Sequence, residues 1–270
     1  MPKYTKNYTV VLDDMDMQQY RLRPISAISY IQDTFARYSA TRKMAAFDLQ
    51  TKGQYWVISE LNMHIIDTFP FWAEEIKVEL WFSEISKIKI YADFRLYYNN
   101  KVFAQGDSLW LIMDINTRRV ARADEMAAKF AVCKDLALSA HSKILLPDTV
   151  GEISNFSHNI NISDIDFNNH TNNKSYLHIA AMALPEDFRK THLLKTIQVR
   201  FNKETFLGDS LICRVYKTGK ENCFLHSIDK GSGHVCDVIT SWKNVEPYTT
   251  IVDYDLKVKS EYPFNSTALE

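Results

Sequence analysis

Apolar and polar positions along this chain follow the same order twice, at an offset of 150 residues. Alternating apolar and polar residues predict a short strand at 8–12 and another at 158–162. Apolar residues at helical spacing come next and predict a helix at 24–47 and a second at 173–184. The second helix should end before Pro185, because the residue preceding a proline disfavours helical geometry. Such repetition indicates a duplicated structural unit.

Four further segments follow each predicted helix, and their valine, isoleucine, tyrosine and phenylalanine content favours strands. They span 54–66, 74–84, 87–98 and 102–116 in the first half, and 194–202, 210–218, 222–230 and 234–243 in the second. Residue types that suit hairpin turns stand at 99–100 and 230–233. A strand, a long helix and four strands predict one helix wrapped by an antiparallel sheet, the hot-dog arrangement. The chain is therefore predicted to be an α+β protein with a double hot-dog fold.

The repeat divides the chain into four predicted parts. Residues 1–125 form an N-terminal hot-dog repeat and 151–247 a C-terminal hot-dog repeat, with a connector at 126–150 and a C-terminal tail at 248–270. The two copies differ chemically where residues 14–20 align with 164–170. The aligned pairs are Gln18 with Asn168, Tyr20 with His170, Leu22 with Asn172, and Arg23 with Asn173. Only the second copy holds an imidazole and a cluster of amides, so it is expected to carry the reacting groups.

Seven acidic, amide or imidazole side chains stand directly before the second helix: Asp164, Asp166, Asn168, Asn169, His170, Asn172 and Asn173. Burying such groups is costly unless water or a ligand forms hydrogen bonds with them. Backbone N–H groups at the start of a helix also lack partners within the helix. The cluster is therefore a candidate functional site.

Metal binding is one interpretation of this cluster. Asp164, Asp166 and Asn168 match the first ligands of a calcium-binding EF-hand loop, but Asn169 and Ser175 stand where that loop needs glycine and glutamate. For other metals, the cluster offers one histidine with nearby carboxylates and no second histidine or cysteine at ligand spacing. No metal site is predicted.

A structural role is another interpretation. Asn172 or Asn173 would cap the helix, while Asp166 and Asn168 would form turns through their side chains. Such a role is compatible with chemistry at the same residues.

Asp166-x-Asn168-x-His170-x-Asn172-Asn173-x-x-Tyr176 resembles the signature of the acyl-ACP thioesterases, which release fatty acids from acyl carrier protein (ACP). Other segments resemble that family: the strand 56–64 with the Pro-x-Trp turn at 69–72, the strand 110–119 ending in Thr-Arg-Arg, and 201–209 with its glutamate. Together they cover residues from about 5 to 245. The resemblance implies the same double hot-dog fold.

The resemblance also implies the reacting set Asp166, Asn168, His170 and Glu204, with a carboxylate that activates water. Many plant members have a cysteine after this glutamate, but Thr205 stands here, so a cysteine acyl-enzyme is not expected. The implied activity is hydrolysis of fatty acyl-ACP, which releases free fatty acid and ends chain elongation. The alternatives are an acyl-CoA thioesterase of the same fold and a non-catalytic acyl or acyl-carrier binding protein.

Substrate contacts are expected from both repeats. In the second repeat they come from Asn172, Asn173 and Tyr176, and first-turn amides near Asn172 together with Asn168 would bind the oxyanion. In the first repeat, Ile28, Phe35 and Trp56 are expected along an acyl-chain site between helix and sheet, as the resemblance implies. No cofactor is expected, because the substrate itself carries a phosphopantetheine arm.

Composition narrows the possible partners and location. Lysine and arginine total 32 against 33 aspartates and glutamates, so the charge gives no case for nucleic acid as a partner. No run approaches the roughly 18–20 apolar residues that span a membrane. The N-terminus lacks the apolar region of a signal peptide, and the four cysteines lack C-x-x-C spacing. A cytoplasmic, bacterial-type protein without a signal or transit peptide is expected.

The partner implied by the resemblance, ACP, is acidic and would need a basic docking patch. Two candidate patches are Arg118, Arg119, Arg122 and Lys129, and Lys174, Arg189 and Lys190. The exposed edges of hot-dog sheets also make a homodimer an expectation.

Overall fold

A computed structural model describes residues 3–16, 21–141 and 143–245 of the chain. Gln18, Tyr20 and the predicted tail at 248–270 lie outside the described residues.

Within these ranges, ten strands form a single antiparallel sheet. The strands are β1 (Tyr4–Thr9), β2 (Gln54–Ile65), β3 (Glu75–Ile85), β4 (Ile90–Tyr98), β5 (Lys101–Asp114), β6 (Thr149–Asn159), β7 (His192–Phe201), β8 (Ser210–Thr218), β9 (Cys223–Lys230) and β10 (Gly233–Asn244). Their order across the sheet is β1-β3-β4-β5-β2-β7-β10-β9-β8-β6. The first five strands and the last five therefore take matching places on either side of the β2–β7 pair. The predicted α+β double hot-dog fold is confirmed.

The two halves meet at a short seam and share one core. β2 pairs with β7 from Glu60 opposite Arg200 to His64 opposite Thr196. Two helices, α1 (Pro24–Ala40) and α4 (Asn173–Ala183), contact each other and bury apolar side chains in a core that draws on both halves. No helix in the described ranges is both long enough and apolar enough to cross a membrane.

The first helix ends earlier than predicted. α1 stops at Ala40 instead of residue 47, because Lys43 adopts a left-handed backbone with φ 57 and the N–H of Met44 turns back to the carbonyl of Ser39 at 3.1 Å. The side chain of Met44 is then buried, and a separate short helix, α2 (Ala46–Gln50), follows.

The first strand of each repeat also lies earlier than predicted. β1 ends at Thr9 and β6 at Asn159, and each is followed by a short 3-10 turn, at Leu12–Asp14 and at Ile162–Asp164. Leu12 and Ile162 are exposed in these turns, so these apolar residues do not mark the buried face of a strand. β6 starts inside the stretch predicted as the connector and pairs with β8.

The connector starts beside α1, where the ring of Phe130 meets that of Tyr38 edge-on at 5.1 Å, and continues past β3 to the second repeat. α3 (Asp124–Lys129) leads into it, and the carbonyl of its Asp135 accepts the indole N–H of Trp81 at 2.7 Å. Further along, Ile144 packs with Leu225 and Ile239 of the second repeat. The chain continues through α5 (Glu186–Thr191) after α4.

The helix caps correct the alignment of the two repeats. Arg23 is the N-cap of α1, and Asn172 is the N-cap of α4. Arg23 therefore corresponds to Asn172, and Pro24 corresponds to Asn173. The predicted match of Leu22 with Asn172 is wrong by one residue.

The loop before each helix explains this difference. The N–H of Asp16 donates to the carbonyl of Arg21 at 2.7 Å, and the N–H of Asp166 donates to the carbonyl of His170 at 2.8 Å. The second loop spans one residue fewer, so His170 corresponds to Arg21 and not to Tyr20. The shorter second loop thus places His170 at the hydrogen bond that closes the loop.

Candidate active site

The start of α4 is built on the loop that precedes it. The side chain of Asn172 accepts the N–H of Lys174 at 3.0 Å, which confirms Asn172 as the expected helix cap. The N–H of Asn172 itself donates to the carbonyl of Asp164 at 2.7 Å. Asn172 therefore caps the helix with its side chain and ties the helix start to the preceding loop with its backbone.

The same bonds narrow the choice of backbone donor for the expected oxyanion site. The N–H groups of Asn172 and Lys174 are already occupied, and the N–H of Ser175 donates to the carbonyl of Asn172 at 2.9 Å. Among the first-turn amides in the described part of the chain, that of Asn173 has no hydrogen-bond partner. Of the amides near Asn172, that of Asn173 is therefore the one left to donate to a ligand.

Asp166 organises the loop around its own carboxylate. Its Oδ1 accepts the N–H of Asn168 at 2.8 Å and the N–H of His170 at 3.2 Å. Asn169 lies between them in a left-handed conformation with φ 64, which asparagine tolerates better than most residues. The predicted side-chain turn at Asp166 is present, and it fixes the backbone of two other members of the predicted reacting set.

His170 and Glu204 meet although they come from separate segments. Nδ1 of His170 lies 3.6 Å from Oε1 of Glu204, and both side chains are largely buried. Burial lowers the pKa of His170, and the charge of Arg118 lowers it further, while Asp166 acts in the opposite direction. Burial and Arg118 therefore both favour the uncharged form of the imidazole.

A buried hydroxyl network holds the Glu204 segment in place. The N–H of Thr171 donates to the carbonyl of Thr205 at 2.9 Å. The Oγ1 of Thr205 donates to Oγ1 of Thr171 at 2.7 Å and lies 2.8 Å from the hydroxyl of Tyr176. Burial raises the pKa of Tyr176 to about 12. Thr205 is fully buried in this network, so its role is structural.

Asn168 is oriented from the first repeat. Its Oδ1 accepts the side-chain N–H of Gln50 at 3.0 Å, which leaves its amide NH₂ group facing away from that bond. Next to this contact, the rings of Phe47 and Phe167 lie 5.5 Å apart. The short helix α2 therefore reaches the polar loop of the second repeat.

Arg118, also from the first repeat, forms an ion pair with Oε2 of Glu204. The guanidinium lies 5.5 Å from the ring centre of Tyr55. The Tyr55 ring is 5.9 Å from that of His170, and the Phe206 ring approaches His170 edge-on at 5.2 Å. His170 and Glu204 are thus enclosed by side chains from both halves.

A cavity of about 700 Å³ connects these groups to the first repeat. Its lining includes every member of the predicted reacting set and the predicted substrate-binding residues of the second repeat: Asp166, Asn168, His170, Glu204, Asn172, Asn173 and Tyr176. On the other side it is lined by Phe35 and Trp56, as expected, and also by Trp110.

Ile28 lies outside the lining of this cavity. Its side chain is fully buried in the core and does not line this cavity, so the structure places it apart from the other predicted substrate-binding residues. Ile28 lies two helical turns before Phe35 on α1, and the cavity reaches only the later part of that helix, at Gln32, Phe35 and Ala36. Helical spacing identified the buried face of α1 but not how far along it the cavity extends.

Asp164 is committed to a structural contact. Its Oδ2 lies 2.8 Å from Nε2 of His158 and accepts the N–H of Asn161 at 3.0 Å. Within the described ranges, no group of three or more histidine, cysteine, aspartate or glutamate side chains is arranged to hold a metal ion. Cys133, Cys213 and Cys236 are buried, and none of the cysteines lines the cavity.

The first predicted docking patch is largely neutralised by neighbouring carboxylates. Arg118 pairs with Glu204, while Arg122 pairs with Asp124 at 2.6 Å. Lys129 pairs with Glu125, also at 2.6 Å. Of that patch, Arg119 is the member with no ion pair among the described residues.

Several residues at the site were not assigned to it from the sequence. Gln50 and Tyr55 gave no sequence signal, because each meets the polar loop only through tertiary structure. Phe206 stands two positions after Glu204, a spacing that could have suggested it. Arg118 was noticed in the Thr-Arg-Arg segment but was interpreted as a docking residue.

Comparison with known proteins gives a consistent result. The family model described as the acyl-ACP thioesterase N-terminal domain matches residues 2–130, and the acyl-ACP thioesterase C-terminal domain matches 148–244. A curated relative, the chloroplastic oleoyl-acyl carrier protein thioesterase 2 of Arabidopsis thaliana, is 24% identical over 200 residues, covering 70% of this chain and 52% of its own length. The chloroplastic palmitoyl-acyl carrier protein thioesterase of Gossypium hirsutum is also 24% identical, with 67% and 48% covered. The chain spans about half the length of these relatives.

Solved structures share the fold. An acyl-ACP thioesterase from Bacteroides thetaiotaomicron superposes with a TM-score of 0.77 at 20% identity, covering 89% of this chain and 98% of its own. The 12:0-ACP thioesterase from Umbellularia californica gives a TM-score of 0.79 at 14% identity, with 90% and 98% covered. Because the two domain models together match most of both repeats and include the loop and the glutamate of the site, the chain belongs to the acyl-ACP thioesterase family.

Proposed function

We propose that this protein hydrolyses the thioester of fatty acyl-ACP, releasing free fatty acid and ending chain elongation. The proposal rests on the meeting of His170 and Glu204, beside Asn168, at the wall of a cavity lined by both repeats. The cavity's volume of about 700 Å³ lies in the usual range of small-molecule sites, roughly 300–1,000 Å³. A polar end for the thioester and an aromatic wall for the acyl chain are therefore both present.

Glu204 is the general base in this proposal. Asp166 is less suited to that role, because its Oδ1 accepts two backbone N–H groups of its own loop. Oε1 of Glu204 lies near His170, so one water molecule can contact both side chains. Positioned general bases typically contribute ~10²–10⁴-fold to a rate.

In the reaction, Glu204 takes a proton from the water molecule. At the same time the oxygen of that water bonds to the carbonyl carbon of the thioester. The carbonyl electrons move to oxygen and return when the C–S bond breaks. The proton on Glu204 then passes to the departing thiolate of the phosphopantetheine arm. The products are a fatty acid and the free thiol of the carrier.

The developing oxyanion would be stabilised by the backbone N–H of Asn173 and the side-chain NH₂ of Asn168. Gln50 engages the Oδ1 of Asn168 and so directs its donor group elsewhere. Each such donor typically contributes ~10²–10³-fold. The neutral imidazole of His170 offers one donor and one acceptor nitrogen, which suits it to orient the water.

The first repeat would bind the acyl chain. Phe35 stacks on Trp110 with ring centres 3.7 Å apart, and Trp56 meets Phe35 edge-on at 5.1 Å. All three line the cavity, so they offer an apolar surface next to the polar loop. In the second repeat, Asn172 and Tyr176 shape the cavity wall that the thioester would contact.

The proposal extends to the setting of the reaction. Water is the nucleophile, so no cofactor is needed beyond the arm carried by the substrate. The four cysteines are free thiols, which is compatible with a reducing cytoplasm where fatty acids are made.

β1 and β6 form the two edges of the sheet, and pairing of such edges is the proposed route to a homodimer.

The test is to compare hydrolysis of acyl-ACP and acyl-CoA across a series of acyl-chain lengths. The proposal expects the higher kcat/KM with the carrier-bound substrates. A preference for acyl-CoA would overturn the carrier assignment and support an acyl-CoA thioesterase. Binding of acyl-ACP without hydrolysis would overturn catalysis altogether.

A further inference from the structure

Arg118 is presented by a turn whose geometry is fixed by Asp114. Oδ1 of Asp114 accepts the N–H of Thr117 at 2.7 Å and its hydroxyl at 2.9 Å. The carbonyl of Asp114 accepts the N–H of Arg118 at 3.0 Å, and the N–H of Asp114 donates to the carbonyl of Arg119 at 3.0 Å. These bonds account for the aspartate and the threonine that stand before the two arginines.

The backbone of Arg118 is left-handed, with φ 55. This conformation is unfavourable for a residue with a Cβ, and asparagine or glycine would adopt it more readily. In this turn the side chain crosses to the second repeat, where it meets Glu204.

The guanidinium of Arg118 is directed at Glu204. It contacts Oε2, lies over the ring of Tyr55, and leaves Oε1 on the side of His170. The pair joins the two repeats, because Arg118 follows β5 and Glu204 follows β7.

We propose that Arg118 is a positioning residue for the reaction at Glu204. It holds one carboxylate oxygen so that the other points at His170 and the attacking water. This inference rests on the proposed function. It also assigns the first repeat a part in the chemistry, in addition to binding the acyl chain.

A docking role for Arg118 makes different predictions. A docking arginine must offer a free charge to the acidic carrier, whereas the guanidinium of Arg118 is already paired with Glu204. Loss of a docking residue would raise KM for carrier-bound substrate and would leave small thioesters unaffected. Loss of a positioning residue would lower kcat for every thioester, whatever its carrier.

The experiment compares wild type and Arg118→Gln on acyl-ACP and on the same acyl group carried by N-acetylcysteamine. We expect kcat to fall about 10- to 100-fold on both substrates, the scale on which misplaced catalytic groups lower a rate. Arg118→Lys should recover part of the loss, because it restores the charge without the planar fork. Arg214→Gln removes another arginine–carboxylate pair, with Asp229 at 3.0 Å and away from the cavity, and should leave kcat unchanged.

A second readout is the pH profile. Arg118 helps to lower the pKa of His170, so Arg118→Gln should move the acidic limb of kcat/KM to higher pH. A merely structural residue would lower activity without moving that limb. An unmoved limb, or a loss confined to KM for acyl-ACP, would overturn the proposal.

A double-mutant cycle with Glu204→Gln completes the test. If Arg118 acts through Glu204, the double variant should be no slower than Glu204→Gln alone, and additive losses would overturn the inference. Failure of the proposed function has a different signature. In that case the wild type itself would hydrolyse neither thioester, or Glu204→Gln would keep full activity, and the role of Arg118 would fall with it.

Discussion

Oε1 of Glu204 lies 3.6 Å from Nδ1 of His170. The residues that follow them, Thr171 and Thr205, are joined by a backbone hydrogen bond, which holds the two segments together. The two side chains therefore meet because their segments are locked together one position away. A substitution at His170 or Glu204 leaves that backbone hydrogen bond in place, so its effect on activity can be interpreted as a chemical change.

Replacing Glu204 with glutamine tests the base. The change keeps the size of the side chain but removes the proton-accepting carboxylate, so kcat/KM should fall at least ~10²-fold. The melting temperature and the circular dichroism spectrum should stay close to those of the wild type. Glu186→Gln, in an exposed pair with Lys190, is the matched control and should keep full activity. Retained turnover in Glu204→Gln would exclude the assigned base.

Asp166 should respond differently to two substitutions. Asp166→Asn keeps an oxygen for the N–H groups of Asn168 and His170, so the loss in kcat should stay within about 10-fold. Asp166→Ala removes both bonds and frees the loop, which should cost about 10²-fold or more. Steady-state kinetics on the same acyl-ACP distinguish the two. Equal, large losses would instead give the charge of Asp166 a direct chemical role.

Thr205 should affect stability more than chemistry. Thr205→Ala leaves the buried hydroxyl of Tyr176 without that partner, and an unsatisfied buried group costs about 1–3 kcal/mol. Thr205→Ser keeps the hydroxyl and should retain most of the lost stability. Thermal and urea unfolding of the two variants provide the measurement. If the folded Thr205→Ala protein had no activity, a covalent route through this hydroxyl would have to be considered.

The acidic limb of activity should reflect His170. Burial places its pKa below the ordinary value of 6.5, so the ring is neutral and kcat/KM should be level at neutral pH. Activity should fall only as pH drops through the lowered pKa. An unfolded chain takes up the proton at higher pH than the folded one, so stability should also decline as pH falls below about 6.5. Proton NMR of the imidazole gives the titration directly, and a midpoint above 6.5 would contradict this account.

The sequence allowed the fold and much of the site to be predicted, for identifiable reasons. Strand composition and the repeat located the main strands, and Pro185 marked the end of α4. The cap at Asn172 was predictable because capping depends on residues next to each other in the chain. The early end of α1 was missed, because Lys43 gives no sequence signal for a left-handed backbone.

Contacts across the seam could not be predicted in the same way. The pairing of Arg118 with Glu204 depends on how β5 and β7 flank β2, and that arrangement is tertiary. The shorter loop in the second repeat was also hidden. Residues before the loop align at one offset and residues after it at another, so a single offset misplaced the partner of His170.

The short β2–β7 seam has a consequence for how such a site can be assembled. Gln50 and Arg118 reach the second repeat only while that seam is formed, so one isolated repeat would need a partner subunit to complete the same surroundings. Joining two repeats in one chain makes this encounter intramolecular, and its completion no longer depends on protein concentration. Fusion also lets the two loops diverge, because each copy occupies one fixed side of a single site.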